Sequence, residues 1–123
     1  MAVLGTFDPT SLIADDLDLQ HRQIIVLSGQ GVLLRGTVVG VVTASGKAIK
    51  SVRTAVDGSQ TPTGVLSDDI DATSADVTCN EYETGVFAFE KMIVDASWSF
   101  AQLDAAFRAR GQALFMRVTG TAA

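Results

Sequence analysis

The sequence predicts a mainly β domain with one short α-helix near its C-terminus. Short apolar runs rich in β-branched residues recur along the chain, separated by glycine, aspartate and serine turns. Only the stretch after Ser99 places apolar residues at helical spacing. The first 22 residues follow neither period. We therefore expect an extended N-terminal arm over residues 1–22 and a single β-rich domain over residues 23–123.

The stretch over residues 33–52 is predicted to form a bent β-ribbon around which the rest of the domain is organised. Residues 37–43 and 48–52 are its two strands, because they are rich in valine, threonine and isoleucine. Gly46 lies in the turn between them, where it adopts a positive φ without a Cβ penalty. Gly40 interrupts the first strand, which is typical of a bulge or a close backbone approach.

Five further segments have strand composition and are bounded by turn residues. They are residues 23–27, 64–67, 77–82, 86–89 and 113–118. We expect residues 86–89 to pair with residues 77–82 across a turn at 83–85, and residues 68–76 to form a solvated acidic turn. No alternation of strands with helices occurs, so a parallel α/β fold is not expected.

One helix is predicted from its end signals. Ser99 is placed as the N-cap, and Gln102 three residues later completes a capping-box pattern. Trp98 and Leu103 are positioned to form the hydrophobic staple that accompanies such a start. Gly111 follows the last helical turn as a C′ glycine.

Composition excludes several classes of protein. The chain has 123 residues, which suits one domain, and a net charge of −5, so nucleic-acid binding through phosphate neutralisation is not expected. No apolar run is long enough to span a membrane, and the N-terminus lacks the basic and apolar regions of a signal peptide. The single cysteine forms no intrachain disulfide. We expect a soluble protein made in a cytoplasm.

No catalytic, cofactor or metal motif is complete in the sequence. His21 is the only histidine, and no nucleophile elbow is present to pair with it. Residues 40–47 miss the spacing of a phosphate-binding loop, and an EF-hand begun at Asp69 lacks the required glycine and final glutamate. Cys79 is expected to be a small buried hydrophobe. We predict that the protein is not an enzyme and needs no cofactor or metal.

The N-terminal segment carries more apolar residues than a solvated tail needs. These candidate contact residues are Val3, Leu4, Phe7, Leu12 and Ile13. About 20 extended residues span roughly 66 Å, several times the radius of gyration of about 14 Å expected for such a domain. The segment is therefore either a frayed terminus or an arm that reaches and grips a partner, and we favour the arm.

Several short motifs occur in a fixed order along the domain. They are SGQGVL at 28–33, RGTVVG at 35–40, SGK at 45–47, DGSQTP at 57–62, GVL at 64–66 and TGVF at 84–87. A helix that ends at Gly111 and a final apolar strand follow them. In order and spacing, over about residues 23–118, the set resembles the bacteriophage head decoration protein family, the lambda-type protein D. Residues 1–22 are similar only in kind, as an irregular arm.

The resemblance implies a β-clip-like fold, which is a bent β-ribbon and an incomplete barrel with one short helix. It implies a homotrimer on the outside of an expanded icosahedral phage capsid, at three-fold sites between capsomers. It implies that the N-terminal arm engages the major capsid protein, and that the trimer stabilises the virion shell against internal DNA pressure. Trp98 is then either the helix staple or an anchor of the trimer interface.

A second hypothesis belongs to a different class of function. A β-clip domain can also serve as a binding module for a small polar ligand or a carbohydrate, here through the polar loop over residues 53–63. Only one tryptophan and one tyrosine are available for stacking against a sugar, which makes this the weaker hypothesis.

Overall fold

The computed structural model describes residues 20–118 and confirms a mainly β fold with one short helix near the C-terminus. These residues form nine β-strands: β1 (His21–Val26), β2 (Gly31–Leu33), β3 (Val38–Val41), β4 (Ala48–Lys50), β5 (Pro62–Leu66), β6 (Ile70–Ala72), β7 (Val77–Tyr82), β8 (Gly85–Ala88) and β9 (Leu114–Arg117). They also form one α-helix, α1 (Phe100–Ala109), and a 3₁₀ helix at Phe89–Lys91, which was not predicted from the sequence.

Five of the strands close into a barrel in the order β1-β4-β3-β5-β7. Strands β1 and β7 are antiparallel and pair along their whole length, from His21–Tyr82 to Val26–Val77. The barrel closes between β1 and β4 through a single parallel pair, Val26–Ala48. The resemblance implied an incomplete barrel. The observed barrel is closed, but β1 and β4 are joined by only one residue pair.

The central ribbon is confirmed as the antiparallel pair β3–β4. Gly46, in the turn between the strands, has a φ of 71°, as predicted. The register between β3 and β5 shifts between Val39 and Gly40, which is the predicted irregularity. A Cβ on Gly40 would lie 2.2 Å from the carbonyl oxygen of Ser59, so the neighbouring loop approaches this strand too closely for any side chain.

Two hydrophobic clusters form the core. The first joins the barrel strands to β2 and β6, which pair with each other as a separate two-stranded sheet: Ile24, Val26, Leu33, Val39, Ala48, Leu66, Ala72 and Cys79. The second joins the barrel to β8, β9 and α1: Val38, Val65, Tyr82, Phe87, Met92, Leu103, Phe107, Leu114 and Met116. Residues of the barrel strands therefore contribute to both clusters.

The predicted helix start is confirmed as a capping box. The Ser99 hydroxyl accepts a hydrogen bond from the Gln102 backbone N–H at 3.2 Å, and the Gln102 side chain accepts one from the Ser99 N–H at 3.0 Å. Leu103 and Phe107 are the buried residues of α1, and Trp98 packs against the cluster that contains them. Gly111 follows the helix with a φ of 67°, as expected of a C′ glycine.

The prediction that residues 68–76 form only a solvated acidic turn is wrong for the middle of the segment. Ile70–Ala72 is strand β6, which pairs antiparallel with β2 from Gly31–Ala72 to Leu33–Ile70. Ile70 and Ala72 alternate with the exposed Asp71, and this period of two was obscured by the surrounding acidic residues.

The predicted partner of residues 86–89 is also wrong. Strand β8 does not fold back on β7; it pairs in parallel with β9, from Gly85–Leu114 to Ala88–Arg117. Phe87 is fully buried in the cluster beneath α1, so burial of this side chain favours the distant partner over the adjacent strand. A tertiary contact of this kind leaves no local signal in the sequence.

The close approach at Gly40 is testable. We expect Gly40→Ala to lower the free energy of unfolding by at least about 2 kcal/mol, because the new methyl group collides with backbone that cannot rotate away. Gly46→Ala is the matched control. Nothing lies within 4 Å of its Cβ position, so it should cost only the left-handed backbone conformation, about 1 kcal/mol. Equal losses in urea unfolding would contradict this account of Gly40.

Candidate functional site

The N-terminal segment joins the barrel at a fixed point. The Gln20 N–H donates to the Thr84 hydroxyl at 2.9 Å, and the Glu83 N–H donates to the Gln20 carbonyl at 2.7 Å. Strand β1 continues directly from this point at His21, two residues before the start predicted from the sequence. Gln20, the first described residue, therefore lies beside the β7–β8 connection.

A buried carboxylate lies next to this junction. The Glu81 side chain on β7 is fully buried, and its Oε2 accepts hydrogen bonds from two nitrogens of the Arg22 guanidinium on β1, one of them at 2.9 Å. Its Oε1 accepts from the Thr63 hydroxyl on β5 at 3.1 Å. Three strands of the barrel are thus joined through one carboxylate, and both of its oxygens are satisfied.

Burial raises the pKa of Glu81 above the ordinary glutamate value, although Arg22 and Thr63 both oppose the rise by stabilising the anion. A carboxyl with a raised pKa binds its proton more tightly in the folded state than in the unfolded state. The contribution of Glu81 to stability therefore falls as the pH rises through the interval from the ordinary pKa, 4.5, to the raised one. Arg22 limits this loss of stability because it lowers the pKa of Glu81.

Tyr82 connects the junction to the core. The ring of His21 lies 4.7 Å from the ring of Tyr82, which in turn lies 5.5 Å from the ring of Phe87. Arg35 donates to the Tyr82 hydroxyl at 3.2 Å. His21 is exposed and contacts this aromatic ring, so its position gives it a packing role at the start of β1.

The sequence analysis missed the contact between Arg22 and Glu81. One signal was present, because Glu81 shares strand parity with Val77 and Cys79, which places a carboxylate on the apolar face of β7. Cys79 is buried as predicted, and its burial raises the pKa of the thiol. Nothing in the sequence pointed to Arg22 as the partner, since the two residues are brought together only by strand register.

The structure places the predicted site residues as follows. The arm residues Val3, Leu4, Phe7, Leu12 and Ile13 lie outside the described residues. Trp98 is half-buried, and its indole N–H donates to the Ser51 carbonyl at 3.2 Å. Arg53 contacts Ser97, the residue before Trp98, because its backbone N–H donates to the Ser97 hydroxyl at 2.9 Å.

In the polar loop proposed for a small ligand, the Asp57 carboxylate is bonded to a residue of the same loop. Asp57 accepts from the Ser59 hydroxyl at 2.5 Å and from the Ser59 N–H at 3.0 Å, and these bonds hold the pKa of Asp57 below its usual value. Within residues 20–118, no three His, Cys, Asp or Glu side chains are grouped as metal ligands. Over the same residues, no helix is long and apolar enough to cross a membrane.

Comparison with known families identifies the class. The family model for the bacteriophage lambda head decoration protein D matches residues 6–114, which is most of the chain and includes part of the N-terminal segment. A search of curated proteins gave no significant match. The β-rich domain is that of a structural capsid protein of a phage virion. The chain belongs to the bacteriophage lambda head decoration protein D family, which is a family of structural proteins and not of enzymes.

The Arg22–Glu81 contact can be tested by removing the cation. We expect Arg22→Ala to lower the free energy of unfolding by roughly 2–3 kcal/mol, below the usual cost of breaking a buried pair because the Arg22 side chain is 41% exposed. Lys47→Ala is the matched control, since it breaks a solvent-exposed pair with Asp76 at 2.6 Å and should cost much less. Equal losses at neutral pH would show that the buried carboxylate does not depend on Arg22.

Proposed function

We propose that this chain forms a homotrimer that binds the outside of the expanded icosahedral capsid at three-fold sites between capsomers. In this role it stabilises the shell against the pressure of the packaged DNA. The observation that carries the proposal is the family match over residues 6–114, which includes both the barrel and part of the segment that precedes it. The chain is synthesised in the host cytoplasm and added to the shell from there.

The N-terminal arm is the part that engages the major capsid protein. Its contact residues are Val3, Leu4, Phe7, Leu12 and Ile13. The junction at Gln20 supports this role, because the backbone N–H and carbonyl of Gln20 are both hydrogen-bonded and fix the point where the arm joins the barrel. An arm that adds as a strand to an exposed sheet edge gains affinity from backbone hydrogen bonds and specificity from alternate side chains.

A trimer makes weak arm contacts effective. Three arms attached to one body bind together, and such linkage raises avidity by roughly 10²–10⁴-fold without any new type of contact. A protein that binds only the expanded shell stabilises that shell by mass action, in proportion to its occupancy. Reinforcement of this kind needs no catalytic residue, only a stable body and a firmly attached arm.

Trp98 is proposed as an anchor of the trimer interface in addition to its contacts within the chain. The side chain is only partly buried in the single chain, and the uncovered part is available to a neighbouring copy. Aromatic residues are enriched at the cores of protein interfaces, where a large rigid side chain buries much area.

The role of the arm is tested by replacing its five apolar contact residues with serine in the full-length chain. We expect binding to expanded, undecorated shells to weaken by at least about 100-fold, because each of the three arms loses its apolar contacts. Binding is measured by co-sedimentation with shells. The matched control replaces Thr6, Thr10 and Ser11 with alanine, which alters the arm but keeps its apolar residues. Undiminished binding by the serine variant would contradict the proposed grip.

The role of Trp98 is tested with Trp98→Ala and Trp98→Phe. We expect the alanine variant to assemble as trimers more weakly than the phenylalanine variant, which keeps most of the aromatic area but loses the bond to Ser51. Assembly is measured by sedimentation in solution and by stoichiometry on the shell, at a temperature where circular dichroism shows both variants folded. If Trp98→Ala assembles as well as the unaltered chain, Trp98 is not part of the trimer interface and acts only within its own chain, at the start of the helix.

A further inference from the structure

Six large apolar side chains are exposed among residues 20–118. Two of them, Ile25 and Val56, stand singly, and single exposed apolar residues are normal on a protein surface. The other four have exposed fractions between 44% and 62% and form two pairs that are close in sequence: Val32 with Leu34, and Phe115 with Val118. Exposed apolar side chains that are grouped, rather than scattered, mark sites of contact with other proteins.

The first pair lies beside exposed carboxylates. Val32 belongs to β2, and Leu34 directly follows that strand. The cross-strand partner of Val32 is the exposed Asp71 of β6, and Asp68 and Asp69 at the start of this strand are exposed as well. Residues 68–71 contain no lysine or arginine. We call Val32, Leu34 and these three aspartates the acidic strip.

The second pair lies beside cations. Phe115 belongs to β9, and Val118 directly follows that strand. Arg117 is exposed and shares strand parity with Phe115, and the exposed Arg110 lies in the turn that leads into β9. Arg110 donates to the neutral Gln112 side chain at 3.1 Å, which leaves its charge in place. Residues 105–118 contain no acidic residue. We call Phe115, Val118, Arg110 and Arg117 the basic strip.

The two strips are carried by separate parts of the fold. Strand β2 pairs with β6, and β9 pairs with β8, in two different two-stranded sheets. The inward side chains of the two sheets also enter different hydrophobic clusters, Leu33 and Ala72 in one and Leu114 and Met116 in the other. The apolar side chains of both strips therefore remain exposed in the single chain.

Charge decides which of these surfaces can meet when two copies associate. A strip that meets itself across a two-fold axis brings like charges together, which disfavours that contact. An acidic strip that meets a basic strip places opposite charges around the apolar side chains. Such a contact is head-to-tail, because each copy uses a different surface toward each neighbour, and head-to-tail contacts close into rings when the rotation between copies allows it.

We propose that the acidic strip of one copy packs on the basic strip of the next, and that three such contacts close a ring. The apolar pair of β2 lies against the apolar pair of β9, with the aspartates of one copy facing the arginines of its neighbour. The number of copies in the ring rests on the proposed function. The head-to-tail pairing of the strips rests on the exposure and charge of the described residues alone.

Cross-linking between variants of the full-length chain tests this pairing. Val32→Cys and Val118→Cys each place a thiol in one strip, and Val56→Cys is the matched control, since Val56 is 94% exposed and lies outside both strips. The native Cys79 is buried, so the unaltered chain gives the background of the reaction with a short bis-maleimide. The reaction is run in concentrated solution and on shells.

We expect a mixture of Val32→Cys and Val118→Cys to give covalent dimers in at least about tenfold higher yield than either variant alone, because only unlike strips meet. Either variant mixed with Val56→Cys should give no more dimers than it gives alone. The double variant Val32→Cys/Val118→Cys should give products up to a covalent trimer and none that are larger.

Every other result contradicts part of the proposal. Dimers formed by either single variant alone would show a two-fold contact, and products larger than a trimer would show an open chain instead of a ring. A mixed yield no higher than that of the Val56 control, in solution and on shells alike, would overturn the pairing of the strips. If sedimentation still showed trimers, the proposed function would stand with a different interface. Cross-linked rings that failed to bind shells would refute the proposed function and leave the pairing intact.

Discussion

The antiparallel pairing of β1 with β7 is the constraint on which the rest of the structure depends. It runs through six residue pairs, from His21–Tyr82 to Val26–Val77, while the other edge of β1 is held by one pair. This ladder forms one side of the barrel, fixes Gln20 beside the β7–β8 connection and places the Arg22 guanidinium against Glu81. The position of Gln20 is therefore determined by the same set of hydrogen bonds that joins β1 to β7.

The buried carboxylate fits the proposed function, in which the barrel holds an arm that binds the capsid. A buried ion pair contributes little net stability compared with well-packed apolar residues, but breaking it is costly because one charge is left without a partner. Glu81 holds β1, through Arg22, and β5, through Thr63, to β7. Displacing β1 sideways would separate Arg22 from a fully buried anion. The pair therefore resists movement of β1, the first strand after the N-terminal segment.

Local features were predictable from the sequence, and non-local ones were not. The helix start was predicted because the capping box of Ser99 and Gln102 is contained within four residues, and β7 was predicted with its observed bounds because its alternation is complete. The partner of β8 was missed because its register with β9 depends on where Phe87 is buried. The burial of Glu81 was not predicted, although its strand parity was a signal for it, and its partner Arg22 is 59 residues away and is identified only by the fold.

The central claim is that a rigid barrel holds an arm that binds another protein, so that the molecule acts by reinforcing an assembly. A high-resolution reconstruction of the decorated shell tests this most directly. The account predicts continuous density from Gln20 outward, with the apolar arm residues seated on the major capsid protein and three barrels around each three-fold axis. A reconstruction in which the segment before Gln20 contacts only its own barrel, and the shell is held by the barrel surface alone, would contradict it.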